Sequence, residues 1–231
     1  SAMATPTAVV TGAPTPAVTS VCFREGQGGY AGADDTYLNR SNADEPHGVL
    51  DRHNLRVSGD GGAVGLLRFD LALIPGGASV RSATLSLLPI DQQSVTPVAS
   101  MTLRVYQVYR AWAEEEATWN LAQKGHYWGE PGCNLVGYDR AGIPSDEVAV
   151  EKIGDWTDLD LTPLGQLWVN EPANNYGVLI RGYSERTAVL RFPSSESGDA
   201  SLRPQLCVEY SIAAAQMGYI TGVVYHDLNR N

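Results

Sequence analysis

Residues 65–88, GLLRFDLALIPGGASVRSATLSLL, constrain the fold more than any other stretch of this chain. Leu67 and Phe69 fall on one face of an extended segment and Leu66, Arg68 and Asp70 on the other. Leu85 and Leu87 repeat the same period of two further on. Between them, Pro75-Gly76-Gly77 combines a fixed φ with two permissive positions. The segment therefore reads as two strands joined by a hairpin or arch, with Leu67, Phe69, Leu85 and Leu87 in the core.

The same pattern recurs along the chain. Short β-branched or aromatic runs bounded by Gly, Pro, Asn, Asp or Ser occur at 18–24, 36–39, 54–58, 64–71, 80–88, 101–109, 156–161, 177–181, 188–192 and 205–212. They predict an all-β protein: a two-sheet antiparallel β-sandwich of jelly-roll type with a short helix. That helix is expected over 162–168, where Thr162 can cap, Pro163 sits at the first helical position, and Leu164, Leu167 and Trp168 share a face that plugs one end of the sandwich. A second is expected over 111–117. From 121 to 148 the alternation fails, and a segment of that length in a compact domain is a candidate site.

The chain has 231 residues, 43% of them apolar, enough to bury a core. A net charge of −10 argues against a nucleic-acid partner, because phosphate neutralisation needs clustered Lys and Arg. No apolar run reaches about 18 residues, so direct membrane insertion by a helix is not expected, and the start lacks a signal-peptide pattern. Ser1-Ala2-Met3 has the look of a cloning scar, and the Thr/Pro-rich stretch after it suits an extracellular linker, placing the module at 18–212 between a linker at 1–17 and a tail at 213–231. Secretion or display on a cell surface is the expected localisation. Of three cysteines, Cys22 and Cys207 fall on the same side of the sheet if the first and last strands are neighbours. They then form either a disulfide or two free thiols.

Five blocks carry a family likeness: DDTYLNRSN from Asp34, the 65–88 stretch, VYRAWAEEEATWN, DLDLTPLGQLWVNEPANNYGVLIRG and LRFPSSESGDASLRPQLCVEY. In this order, over 18–211, they resemble the DNRLRE (disaggregatase-related) family and the alginate-binding carbohydrate-binding modules of the same type. The resemblance implies a secreted jelly-roll sandwich attached to polysaccharide-degrading enzymes or strung along surface proteins, as glycan binder or spacer. The tail GYITGVVYHDLNRN resembles the opening strand of a bacterial adhesin B-type repeat. Its Asp227, Asn229 and Asn231 have the spacing that begins an EF-hand loop, but the glycine and distal carboxylate that complete one are absent. The strand at 219–225 either dangles or adds to a sheet edge of its own or another copy.

Arg68, Arg104, Arg181 and Arg191 each interrupt an apolar strand, and Arg104 shares a face with Tyr106. On neighbouring strands they would present guanidinium groups beside an aromatic ring, a surface suited to uronic acids. Otherwise each pairs with a carboxylate and merely covers the sheet. The five tryptophans are expected to be structural, while Tyr127 and Trp128, with Tyr138 and Tyr183, are candidate sugar platforms. Asp34, Asp35 and Asn39 are candidate ligands for a structural Ca²⁺. Asp158 and Asp160 alternate on one strand and make a poor glycosidase pair, since catalytic carboxyls normally reach a cleft from different elements. The four histidines lack metal spacing, and no nucleophile elbow or phosphate loop occurs. These residues point to a non-catalytic module that binds carbohydrate, with acidic polysaccharide or cell-surface glycan as partner, or to a spacer or adhesion module that contacts only neighbouring domains.

Overall fold

The computed structural model describes residues 17–50, 53–94, 100–185 and 188–212. The linker before residue 17, the adhesin-like strand at 219–225 and the Asp227, Asn229 and Asn231 series lie outside the described residues. The strands are β1 (Val18–Phe23), β2 (Ala33–Asn39), β3 (Asn54–Ser58), β4 (Ala63–Phe69), β5 (Ser79–Leu87), β6 (Asp91–Ser94), β7 (Met101–Gln107), β8 (Leu121–Gln123), β9 (His126–Tyr127), β10 (Asp146–Val150), β11 (Thr157–Asp160), β12 (Val178–Tyr183), β13 (Ala188–Pro193) and β14 (Gln205–Ser211). Two short helices, α1 (His47–Leu50) and α2 (Thr162–Asn170), complete the inventory together with brief 3₁₀ turns.

The protein is an all-β sandwich in which the paired strands of its sheets run antiparallel. A five-stranded sheet has the order β10-β7-β12-β4-β2, a four-stranded sheet β1-β14-β5-β11, and a three-stranded sheet β3-β13-β6. One face of the five-stranded sheet, with Leu67, Phe69, Leu103, Val105, Val178 and Ile180, meets Leu85, Leu87, Leu206 and Val208 of the four-stranded sheet and Leu55, Val57, Leu190 and Phe192 of the three-stranded one in a single core. The two smaller sheets thus share the layer opposite the large one. Each fully buried Leu or Phe contributes about 1.5–3 kcal/mol through removal of apolar surface from water.

The 65–88 stretch is an arch: β4 belongs to the five-stranded sheet and β5 to the four-stranded one, so the chain crosses the core between them. Gly77 adopts φ +80°, beside a turn in which the Ala78 amide donates to the Pro75 carbonyl.

Helix α2 extends past the expected end, and its first turn differs in detail. Leu161, not Thr162, precedes the helix and supplies no side-chain cap. The Thr162 hydroxyl instead accepts the Ala83 amide, and Gln166 Oε1 accepts that of Val80. These are the amides of β5 left open where β11 stops, so the helix finishes the edge that the strand begins. Leu164, Trp168 and Val169 bury against the core. The helix expected over 111–117 is absent; a turn at 114–116 stands in its place. Trp112 and Ala117 face the sheet there, and a regular helix would not keep both in contact with it.

Candidate functional site

The outer face of the five-stranded sheet is apolar at its centre, and the segment 108–145 closes over it. Leu38, Val64, Leu66 and Leu179 from the sheet form a second core with Tyr106, Val108, Trp112, Ala117, Ala122, Trp128 and Cys133. The long irregular stretch is therefore a roof on the sheet. Its anchor is Asp139, 0% exposed, whose carboxylate accepts the amides of Gly129, Glu130 and Leu135 at 2.8–3.0 Å and lies 3.4 Å from the Arg110 guanidinium. Trp112 and Trp128 direct their indole N–H groups to the carbonyls of Tyr176 and Thr118. The Cys133 thiol is buried within the roof, and burial pushes its pKa up, which keeps it a thiol.

Three of the four arginines lie on the roofed face and one does not. Arg104 and Arg181 are directly opposite on β7 and β12, whereas the residue opposite Arg181 on β4 is four positions, or about 13 Å, from Arg68. Arg104 pairs with Glu147 at 2.7 Å and stacks on the Tyr183 ring at 4.5 Å. The Tyr183 hydroxyl in turn lies 3.0 Å from that of Tyr106. Arg181 donates to the Asn134 side-chain oxygen, which also receives Arg140. Arg140 is buried and stacks over Tyr106 at 4.6 Å. Among the described residues no carboxylate lies within salt-bridge distance of either Arg140 or Arg181. Arg68, at the far end, takes Asp34 through two N–H groups at 2.6 and 2.9 Å and lies over Trp112. Arg191 sits on β13, in the three-stranded sheet, 3.9 Å from Asp91 and opposite Arg56; it does not join the others.

The aromatic candidates divide in the same way. Trp128 is 4% exposed in the second core and offers no face to a sugar. Its neighbour Tyr127 is 71% exposed on β9, and Tyr138 is exposed with Arg110 stacked on its ring. Tyr183, two residues beyond Arg181 in β12, is the ring on which Arg104 stacks.

Asp34, Asp35 and Asn39 do not converge as ligands. Neighbouring strand residues point to opposite faces, so Asp34 meets Arg68 while Asp35 turns inward, and Asn39, at the other end of β2, caps the 3₁₀ turn through the Ser41 amide. Asp35 instead meets Glu114 and Glu196, which sequence spacing does not connect. Oxygen atoms of these three carboxyl groups lie within 4.8 Å of one another. The Asp35 amide donates to Glu114 at 2.9 Å and the Ser195 amide to the Asp35 carboxyl at 2.6 Å. Burial, reinforced by Glu196 and Glu114, holds the Asp35 carboxyl well above the usual range. Burial likewise raises Glu114 to about 8, with Glu196 and Asp34 adding to it.

Asp158 accepts from the Ser86 hydroxyl, and Asp160 accepts the Thr162 amide and hydroxyl. Asp158 thus ties β11 to β5 across the sheet, and Asp160 serves the β11–α2 junction. Cys22 and Cys207 are an in-register pair of β1 and β14, on the face away from the core, and are joined as a disulfide.

A family model described as the disaggregatase related repeat domain matches residues 39–208. No curated protein matches the chain.

Proposed function

We propose, from the premise that this chain belongs to the disaggregatase related repeat domain family, that it is a non-catalytic polysaccharide-binding module of a secreted or cell-surface protein, with acidic sugars as its ligand class. The observation that carries this reading is the arrangement of Arg104, Arg181 and Tyr183. An arginine stacked on a tyrosine ring is set directly across the sheet from a second arginine whose partner is a neutral amide. A planar guanidinium suits bidentate pairing with a uronate carboxylate, and a tyrosine ring suits the apolar face of a sugar. Export to an oxidising compartment belongs to the same proposal and is supported by the Cys22–Cys207 disulfide.

A second reading, a spacer or adhesion module with no small ligand, is favoured by a different observation. Arg68, Arg104 and Arg191 each lie within reach of a carboxylate. Exposed pairs of this kind contribute only about 0–1 kcal/mol each and can simply cover a sheet. Affinity electrophoresis through alginate, pectin and neutral polysaccharides separates the two. Retardation by the acidic gels alone supports the first reading, and uniform mobility in every gel leaves the spacer.

A further inference from the structure

We propose that Asp35, Glu114 and Glu196 form a divalent-cation site of calcium type, distinct from the arginine face and independent of the glycan reading. The three carboxyl groups come from the edge strand β2, from the roof segment and from the loop after β13, and they meet with oxygens within 4.8 Å of one another. That span can be bridged by two metal–oxygen bonds of about 2.4 Å, the calcium distance. Among the described residues no arginine, lysine or histidine lies within salt-bridge distance of the trio. Three mutually repelling acids are thus gathered without a positive partner.

Two further observations point to a ligand. Ser195 is 2% exposed, and its hydroxyl, next to the Asp35 carboxyl, has no partner at hydrogen-bond geometry among the described residues. Glu196 Oε2 is also buried with no hydrogen-bond partner among the described residues. Buried polar atoms of this kind are ordinarily satisfied, and one cation would satisfy both. A groove lined by Glu25, Asp34, His53, Ser195, Glu196 and Arg203 borders the site on its Ser195 and Glu196 side. An all-oxygen donor set with no thiolate or imidazole within it selects a hard cation over zinc or copper. A bound ion would tie β2, the roof and the loop after β13 to one another.

Chelator-treated protein titrated with CaCl₂ in a calorimeter, with thermal melts in parallel, tests the site. The expected result is saturable one-site binding, with a higher Tm in about 1 mM Ca²⁺, the weak end of the range for extracellular calcium modules. Glu196→Gln, on the groove side, should weaken binding at least tenfold and abolish the Tm shift while leaving the circular dichroism of the fold unchanged; Glu114→Gln should do the same from the roof side. Absence of both binding heat and Tm shift with Ca²⁺, Mg²⁺ and Mn²⁺ on the unsubstituted protein overturns the proposal. Binding that both variants leave unchanged overturns it too, by placing the ion elsewhere. Glycan retardation is a separate readout, so either proposal can fail without the other.

Discussion

Arg104 on β7 and Arg181 on β12 stand in register across the five-stranded sheet, two like charges facing each other. Such pairs are destabilising unless something absorbs the charge. Here Glu147 and the Tyr183 ring absorb one of them, and among the described residues only the Asn134 amide oxygen meets the other. A bound carboxylate would relieve the imbalance. Arg104→Ala and Arg181→Ala are each expected to reduce affinity for an acidic polysaccharide about tenfold, the size of one lost charge-assisted hydrogen bond. Arg191→Ala, on another sheet, should leave it unchanged, and affinity gels read all three.

Trp128 and Tyr127 are adjacent but energetically unlike. Truncating the buried indole opens a cavity in the second core, and Trp128→Ala should cost about 3–5 kcal/mol. Tyr127→Ala, at an exposed position, should fall within about 0.5 kcal/mol. Denaturant midpoints for the two variants give the comparison.

Asp139 concentrates the roof's polar interactions in one side chain. Asp139→Ala strands three backbone amides and the Arg110 guanidinium, so a loss of about 3–5 kcal/mol is expected. The loss should be regional. Hydrogen exchange should accelerate at Gly129, Glu130 and Leu135 while the amides of β5 and β14 stay protected.

Asp60 supplies a pH dependence of known sign. Its carboxyl is held below the usual range, first by the Ser58 hydroxyl, then by the Gly62 amide and Arg40. A depressed folded value means the unfolded chain binds the proton more readily. The contribution is therefore present above about pH 3.9, the unfolded value, and is lost as pH falls through the folded one. In melts from pH 6 downward, Asp60→Asn should flatten the acid limb relative to the parent.

Opening the Cys22–Cys207 bond should lower stability by about 2–5 kcal/mol, since the bond closes a loop spanning 185 positions. The Cys22→Ser, Cys207→Ser double variant in urea measures this, and an unchanged midpoint would contradict it.

Legibility in the sequence followed from what a local period can encode. Alternation located β1, β3, β4, β5, β7 and β12 to β14 to within a few residues, because each buries one face against the core or the roof. It missed β6 (DQQS), which carries no apolar residue, the two-stranded ribbon of β8 and β9, and β10, a partly exposed strand at the edge of the five-stranded sheet. The 111–117 segment carried helix-forming residues, but Trp112 and Ala117 are claimed by the sheet below. The roof itself has no period: its order comes from Asp139 and the two indoles. The acidic trio was invisible for a similar reason. Asp35, Glu114 and Glu196 lie far apart along the chain and only the topology unites them, whereas the adjacent Asp34 and Asp35 are turned apart by the strand.

The cross-link between the first and last strands also has a mechanical side. Antiparallel β1 and β14 put residues 18 and 211 next to each other, so tension applied at the two ends peels the strands apart pair by pair. Only four pairs, Val18–Ser211 through Val21–Val208, can open before the load reaches Cys22 and Cys207. From there the covalent bond carries it, and residues 23–206 lie off the line of force. If such modules are linked in series, each would lengthen by a few residues at either end and then behave as a stiff bead. The roofed face and the acidic trio, both inside that shielded span, would keep their geometry under strain.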